Sequence, residues 1–210
     1  MRVLLAGFEP FAGAARNPSA LLVKVLANDP PPGVAVAVAV LPVVYAAAWP
    51  MLAQAVALEA PDLMLLTGLA GGRAGLSVER VALNFDDSRI ADNAGEQRCE
   101  GTIVADGPAA YFCTVPVRKM VEAMRASGVP AEASLSAGSF LCNHVLYRAL
   151  HHADRSATAM RCGFVHLPWL PEQAATEPGA ASLTLDEMCL GVRAGLAAAA
   201  NPRRGEPLLA

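Results

Sequence analysis

The sequence predicts a three-layer α/β/α sandwich built on a largely parallel, mixed central sheet. Three observations lead there. Apolar strand-like runs alternate with helix-like segments along the whole chain, which is the pattern of βα units. Hydrophobic residues make up 54% and charged residues 17%, which supplies a buried sheet and argues against disorder. At 210 residues there is room for one well-packed domain but not comfortably for two. Residues 1–200 are therefore read as a single α/β domain and residues 201–210 as a flexible C-terminal tail.

Each element has its own signal. Val3–Phe8 is an apolar run ended by Glu9-Pro10, a first buried strand. Asn17-Pro18-Ser19 opens a helix through Leu26, with a polar cap and proline at the first helical position. After the Pro30–Gly33 break, Val34–Val44 is rich in β-branched residues and reads as a strand. Ala46–Ala60 reads as a helix that needs Pro50 in its first turn. Asp62–Leu69 is another strand, closing on the turn Ala70-Gly71-Gly72-Arg73, and Leu76–Phe85 alternates like a strand exposed on one face. The Gly- and Asp-rich stretch 86–108 reads as a long loop visiting an active site. A helix over 117–127, a strand over 131–137, a helix over 143–152 and a strand over 162–167 follow. The Pro- and Gly-containing stretch 171–181 is a loop, and Thr184-x-x-Glu187 caps a last helix to about Ala200.

Composition excludes several function classes. A formal net charge of −3 gives no footprint for nucleic acid or an anionic membrane. The five cysteines, at 99, 113, 142, 162 and 189, include no Cys-x-x-Cys pair and suggest no disulfide framework. No metal and no cofactor is expected, and reduced thiols point to the cytoplasm. The apolar start before Glu9-Pro10 is too brief for a signal-peptide core, and no run approaches the ~20 residues that span a bilayer.

Cys142, in Ser-Ala-Gly-Ser-Phe-Leu-Cys-Asn-His (136–144), is the most informative residue. It lies between a strand-like and a helix-like segment, where the helix N-terminus favours thiolate. That dipole contributes roughly 0.3–1 kcal/mol, under one pKa unit, so a nucleophilic Cys142 needs an imidazole partner. There are four histidines. His151 and His152 fall late in a helix, where they suit the dipole. His144 is two residues from Cys142 on the same helix and points elsewhere, as a packing residue would. His166 ends a short apolar strand just before proline, and reads equally as a base or as a strand-end histidine bonded to a loop. Glu79 reads as a solvent-facing charge on an edge strand, or as the carboxylate that orients an imidazole. Asn17, Arg89, Asp92 and Asn93 are, taken singly, turn or cap residues. Gly71-Gly72-Arg73 is a weak phosphate-loop candidate, lacking both Gly-x-Gly-x-x-Gly spacing and a Lys-Ser/Thr pair.

Together these segments resemble the pyroglutamyl peptidase I (pyrrolidone carboxyl peptidase) family of cysteine peptidases. The matching blocks are Gly7–Phe11, Asn17–Ser19, Gly68–Arg73, Glu79–Ala82, Arg89–Asn93, Ser136–Asn143 and Phe164–Pro168, in the family's order. Departures are small: Ala12-Gly13 stands where the family usually has Gly-Gly, and Ser139 and Leu141 replace Thr- and Val-like positions. The resemblance implies Cys142 as nucleophile, His166 as general base and acid, and Glu79 as the residue orienting the imidazole. It implies apolar walls from Phe8, Phe11 and Phe140 around a lactam ring, lactam contacts near Leu69, and pocket roles for Ile90, Asn17 and Arg89, the last assisting an oxyanion. The implied reaction removes N-terminal pyroglutamate from peptides through a thioester. The sequence itself does not set the oligomeric state; the family often associates, which implies a homo-oligomer, dimer or tetramer. Two rivals stay open: a nucleoside-phosphorylase-like enzyme that uses Gly71-Gly72-Arg73 for phosphate, and a non-catalytic homologue that keeps the pocket.

Overall fold

The apolar runs pair into one twisted sheet flanked by helices on both faces. The computed structural model describes residues 1–156, 159–175 and 179–200, so the predicted tail at 201–210 lies outside the described residues. The strands are β1 (Arg2–Phe8), β2 (Ala35–Leu41), β3 (Leu63–Leu69), β4 (Leu76–Glu79), β5 (Val81–Leu83), β6 (Ala110–Phe112), β7 (Ala131–Ser134) and β8 (Arg161–Leu167). The helices are α1 (Pro18–Asn28), α2 (Tyr45–Glu59), α3 (Val117–Ala126), α4 (Leu141–Arg155), α5 (Pro171–Ala174) and α6 (Leu185–Ala200).

The main sheet has the order β2-β1-β3-β8-β4-β7. Every neighbouring pair is parallel except β8 with β4, which makes the sheet mixed. Helix α6 contacts both α1 and α3 on one face and α2 contacts α4 on the other, giving the three layers. Strands β1, β3 and β8 are buried along almost their whole length, as a doubly covered sheet requires. One continuous apolar cluster runs from Val3 to Ala199 and includes Leu65, Val145, Phe164 and Leu196.

Several expectations need correction. Residues 76–85 are not one half-exposed strand. All four residues of β4 are buried because it lies between β8 and β7. At Arg80 the chain leaves the main sheet, and β5 pairs with β6 in a separate two-stranded ribbon. The alternation that suggested exposure came from Ser77 and Glu79, which are polar yet fully buried. Pro50 is in the second turn of α2, because the helix begins at Tyr45. It is tolerated there at an exposed position, where water can reach the carbonyl its missing N–H leaves unpaired. Strand β2 stops at Leu41, before Pro42, and β7 stops at Ser134, short of a turn in which Gly138 takes φ +79°. Helix α4 starts two residues earlier than its pattern indicated, which puts Cys142 inside its first turn. The 171–181 stretch contains the short α5, and β6 had no clear signal in three residues. The Thr184–Glu187 capping box forms as read: Glu187 Oε2 accepts from the Thr184 backbone N–H at 2.7 Å, and Thr184 Oγ1 accepts from Glu187 N–H at 3.2 Å.

Candidate active site

Parallel β1, β3 and β8 end on the same side of the sheet, where an α/β sheet collects its functional groups. Phe8, Leu69 and His166 lie at those ends, and the start of α4 brings Cys142 to the same place. A cavity of about 190 Å³ opens there, lined by Phe8, Phe11, Phe140, Leu69, Cys142 and His166, with Asn17, Val43, Ala70, Arg73, Ala137, Gly138 and Leu141 completing its wall.

The β8–β4 register explains how Glu79 reaches the imidazole. Ser77 faces His166 and Val78 faces Val165. Continuing that register sets Glu79 beside Phe164, one pleat along the same face from His166, within reach of a long side chain. Glu79 Oε1 lies 2.7 Å from His166 Nδ1, and both side chains are buried. A carboxylate can only accept, so Nδ1 carries the proton and Nε2 is left as the free acceptor. Phe164 packs against the imidazole with ring centroids 4.5 Å apart. Burial pulls the His166 pKa below its ordinary value, more than the Glu79 hydrogen bond and charge lift it, and Arg73 lowers it further.

Cys142 occupies the second position of α4, whose cap, Phe140, offers no side-chain acceptor. The first intrahelical bond at this end runs from His144 N–H to Phe140 O at 3.1 Å, so the N–H groups of Leu141, Cys142 and Asn143 precede the helical ladder. Burial pushes the thiol pKa up to about 12, the Glu79 charge adds to the rise, and Arg73 opposes it. Thiol up and imidazole down both favour a neutral Cys142–His166 pair at rest. Space for the sulfur comes from Gly68, which pairs with His166 across β3 and β8. A Cβ there would sit 2.8 Å from Cys142 Sγ and 2.8 Å from Phe164 Cζ.

The helix start is clamped from outside by the end of β5 and the chain that follows it. Asn143 Oδ1 accepts from Leu83 N–H at 2.9 Å, and its Nδ2 donates to Leu83 O and Phe85 O at 2.9 and 3.0 Å. His144 Nδ1 lies 2.8 Å from Asp86 Oδ2, which also receives Arg98 Nη1 at 3.0 Å. His144 is thus a buried structural partner, as its spacing from Cys142 implied. His151 bonds the Tyr111 hydroxyl at 3.0 Å, and His152 packs beside Trp49, away from the cavity.

The apolar wall is aromatic. Phe140 lies 6.3 Å from Phe11 and meets Tyr45 edge-on at 5.7 Å, centroid to centroid. Asn17 lines the cavity, but its side chain is engaged: Nδ2 donates to Glu9 O at 3.0 Å and Oδ1 accepts from Ser19 at 3.1 and 2.8 Å. It caps α1 and fixes the turn bearing Phe8 and Phe11. In that turn Ala12 holds φ +51°, a left-handed conformation that glycine adopts at less cost.

Arg89 and Ile90 are exposed and stand outside the lining residues. The long 86–108 loop supports the cavity from behind: Asp92 Oδ2 accepts from Tyr45 N–H at 2.8 Å, and Asn93 Nδ2 donates to Pro10 O at 3.0 Å. A cation that lines the cavity is Arg73, whose Nη2 lies 3.1 Å from Glu79 Oε1 and 2.9 Å from Ser136 O. Sequence reasoning missed this role, and also those of Gly68 and Asn143. The Gly-Gly-Arg signal was visible, but only as a phosphate motif.

A family profile described as Pyroglutamyl peptidase matches residues 1–202. The chain belongs to the pyroglutamyl peptidase family. The pyrrolidone-carboxylate peptidase of Cupriavidus taiwanensis is 48% identical over 96% of this chain and 94% of its own length. That of Streptomyces coelicolor is also 48% identical, over 95% and 92% of the two chains. Among solved structures, pyroglutamyl peptidase I of Bacillus amyloliquefaciens superposes with a TM-score of 0.91 at 36% identity, covering 95% of this chain and 96% of that one. The pyrrolidone carboxyl peptidase of Fervidobacterium islandicum gives 0.90 at 38% identity, over 94% and 97%. Membership makes the chain a cysteine-type peptidase, and these relatives lend no weight to the phosphorylase reading. No helix among the described residues is long and apolar enough to cross a membrane.

Proposed function

We propose that the cavity takes the 5-oxoproline ring at the N-terminus of a peptide, and that Cys142, His166 and Glu79 cleave the bond to the next residue. The observation that carries this reading is that Cys142 and His166 share one aromatic-walled cavity while His166 Nδ1 is held by buried Glu79. His166 Nε2 takes the thiol proton as Cys142 Sγ attacks the carbonyl carbon of the scissile bond. The oxyanion forms beside the unladdered N–H groups at the start of α4, where the Cys142 N–H is the natural donor. His166 then returns its proton to the amine as the C–N bond breaks, leaving a pyroglutamyl thioester on Cys142. Water, deprotonated by His166, attacks the thioester; pyroglutamate leaves and Sγ regains its proton.

A lactam suits this site because it is compact and carries no ammonium. Phe8, Phe11 and Phe140 supply apolar walls, and backbone groups near Leu69 supply hydrogen bonds to the lactam N–H and C=O. An N-terminal proline lacks the carbonyl and would leave a buried donor unpaired, which is how such sites reject an analogue. The same reading includes Ile90 and Arg89 as residues that meet the peptide outside the lined cavity. It also includes a dimer or tetramer, supported by Leu83 and Phe112 exposed at 43% and 58% on the β5–β6 ribbon. Five free cysteines support a cytoplasmic place of action.

The test is hydrolysis of pyroglutamyl-aminomethylcoumarin beside prolyl-aminomethylcoumarin. Turnover of the first substrate alone is expected. Equal turnover of both would remove the lactam assignment, and no turnover by folded, reduced protein would remove the peptidase mechanism.

A further inference from the structure

We propose that Arg73 is a positioning residue for the Cys142–His166 reaction, tying the Glu79 carboxylate to the segment that launches the nucleophile helix. The proposal rests on the reading of Cys142, His166 and Glu79 given above.

The geometry is specific. A single guanidinium nitrogen, Nη2, lies 3.1 Å from Glu79 Oε1 and donates to Ser136 O at 2.9 Å. Glu79 ends β4, whereas Ser136 lies between β7 and α4, six residues before Cys142. The cation therefore joins the element that orients the base to the one that delivers the nucleophile. Its side chain is 23% exposed and lines the cavity, so it acts at the site and not from the outer surface.

Glu79 is used asymmetrically. Oε1 serves both His166 Nδ1, at 2.7 Å, and Arg73. Oε2 is buried and has no hydrogen-bond partner among the described residues. With Arg73 removed, the carboxylate would rest on His166 alone and could rotate to offer either oxygen. A rotation changes where Nε2 points, and a misplacement of about 1 Å costs on the order of 100-fold in rate.

Charge works in the same direction. The ionisable groups around His166 are Glu79 from β4, Cys142 from α4 and Arg73 from the turn before β4; Cys113, just after β6, also feels Glu79. Arg73 is the cation in this group. It offsets part of the Glu79 charge, which raises the His166 pKa against burial and holds Cys142 more firmly as thiol. Because Arg73 is partly exposed, solvent moderates this effect.

The experiment compares wild type with Arg73→Met and Arg73→Lys on pyroglutamyl-aminomethylcoumarin, recording kcat and KM from pH 5 to 9, with Cys142→Ala as the reference for lost chemistry. Arg73→Met should lower kcat about 10- to 100-fold with KM changed by less than about threefold. The acid limb of its kcat/KM profile should move to higher pH, because Glu79 then acts on His166 unopposed. Arg73→Lys should return the limb towards its wild-type position and recover part of kcat. An unmoved limb in Arg73→Met, or a loss confined to KM, overturns the proposal while leaving the peptidase reading intact. If Arg73→Met does not fold, Arg73→Gln takes its place as the uncharged variant, and an Arg73→Lys limb that moves as far as that of Arg73→Gln overturns the proposal. A wild type that does not turn over overturns both readings.

Discussion

Gly68→Ala adds one methyl group at the point where the nucleophile, the base and the sheet meet. The new Cβ would lie 2.8 Å from Cys142 Sγ and 2.8 Å from Phe164 Cζ, with Cε1 at 3.3 Å. Ordinary contacts are about 3.5–4.0 Å, so the sulfur, the ring or the strand must yield by about 0.7–1.2 Å. Neither neighbour is free to give way. Phe164 is fully buried and packs on His166, and Cys142 is in the first turn of a helix clamped through Asn143 and His144. A shift of about 1 Å in a reacting atom costs on the order of 100-fold, so kcat/KM should fall by about that factor. Overpacking of this size costs about 1–3 kcal/mol, which for a chain of this length lowers Tm by about 2–12 °C and leaves the protein folded at 25 °C. The assay is steady-state hydrolysis of pyroglutamyl-aminomethylcoumarin beside thermal unfolding of the same sample. A Gly68→Ala enzyme within about threefold of wild type would show that Cys142 Sγ does not react from the position next to β3.

Glu79→Gln keeps a carbonyl acceptor for His166 Nδ1–H but removes the charge that stabilises the imidazolium; kcat/KM should fall by about 100-fold or more, with KM little changed. The pH profile follows from the two shifts at the site. The His166 pKa is depressed, so the acid limb of kcat/KM should lie below the ordinary imidazole value near ~6.5; a limb above that value would contradict the burial argument. The Cys142 thiol is pushed up to about 12, so its alkylation by iodoacetamide should climb steadily from neutral through alkaline pH, whereas a plateau at acidic pH would reveal a thiolate–imidazolium pair at rest. Phe140→Ala removes a cavity wall and the edge-on contact with Tyr45, so KM should rise more than kcat falls; a change in kcat alone would take Phe140 out of the ring-binding surface.

The main frame of this fold was legible because its signals are local. Val3–Phe8, Asp62–Leu69 and Cys162–Leu167 are apolar runs of strand length, and the Thr184–Glu187 box caps its helix as the spacing implied. What failed was a matter of tertiary context. Ser77 and Glu79 look like the outer face of an edge strand, because nothing in their own segment announces that β8 and β7 flank them. The pairing of His166 with Glu79 depends on an antiparallel register between segments 87 residues apart, and only the family resemblance made it visible in advance. Arg73 shows the same limit. Its glycine neighbours suggested phosphate, while its partners, Glu79 and Ser136 O, come from β4 and from the chain before α4. Arg89 and Ile90, which come from one motif block, are exposed and stand outside the residues that line the cavity.

Peptide mapping after reaction with a pyroglutamyl chloromethyl ketone, in which a thiol displaces chloride and forms a stable thioether, tests Cys142 as the nucleophile. One pyroglutamyl adduct is expected, on Cys142, appearing in step with loss of turnover and slowed by excess pyroglutamate. Loss of turnover with Cys142 unmodified, or with the adduct on exposed Cys99 instead, would contradict it.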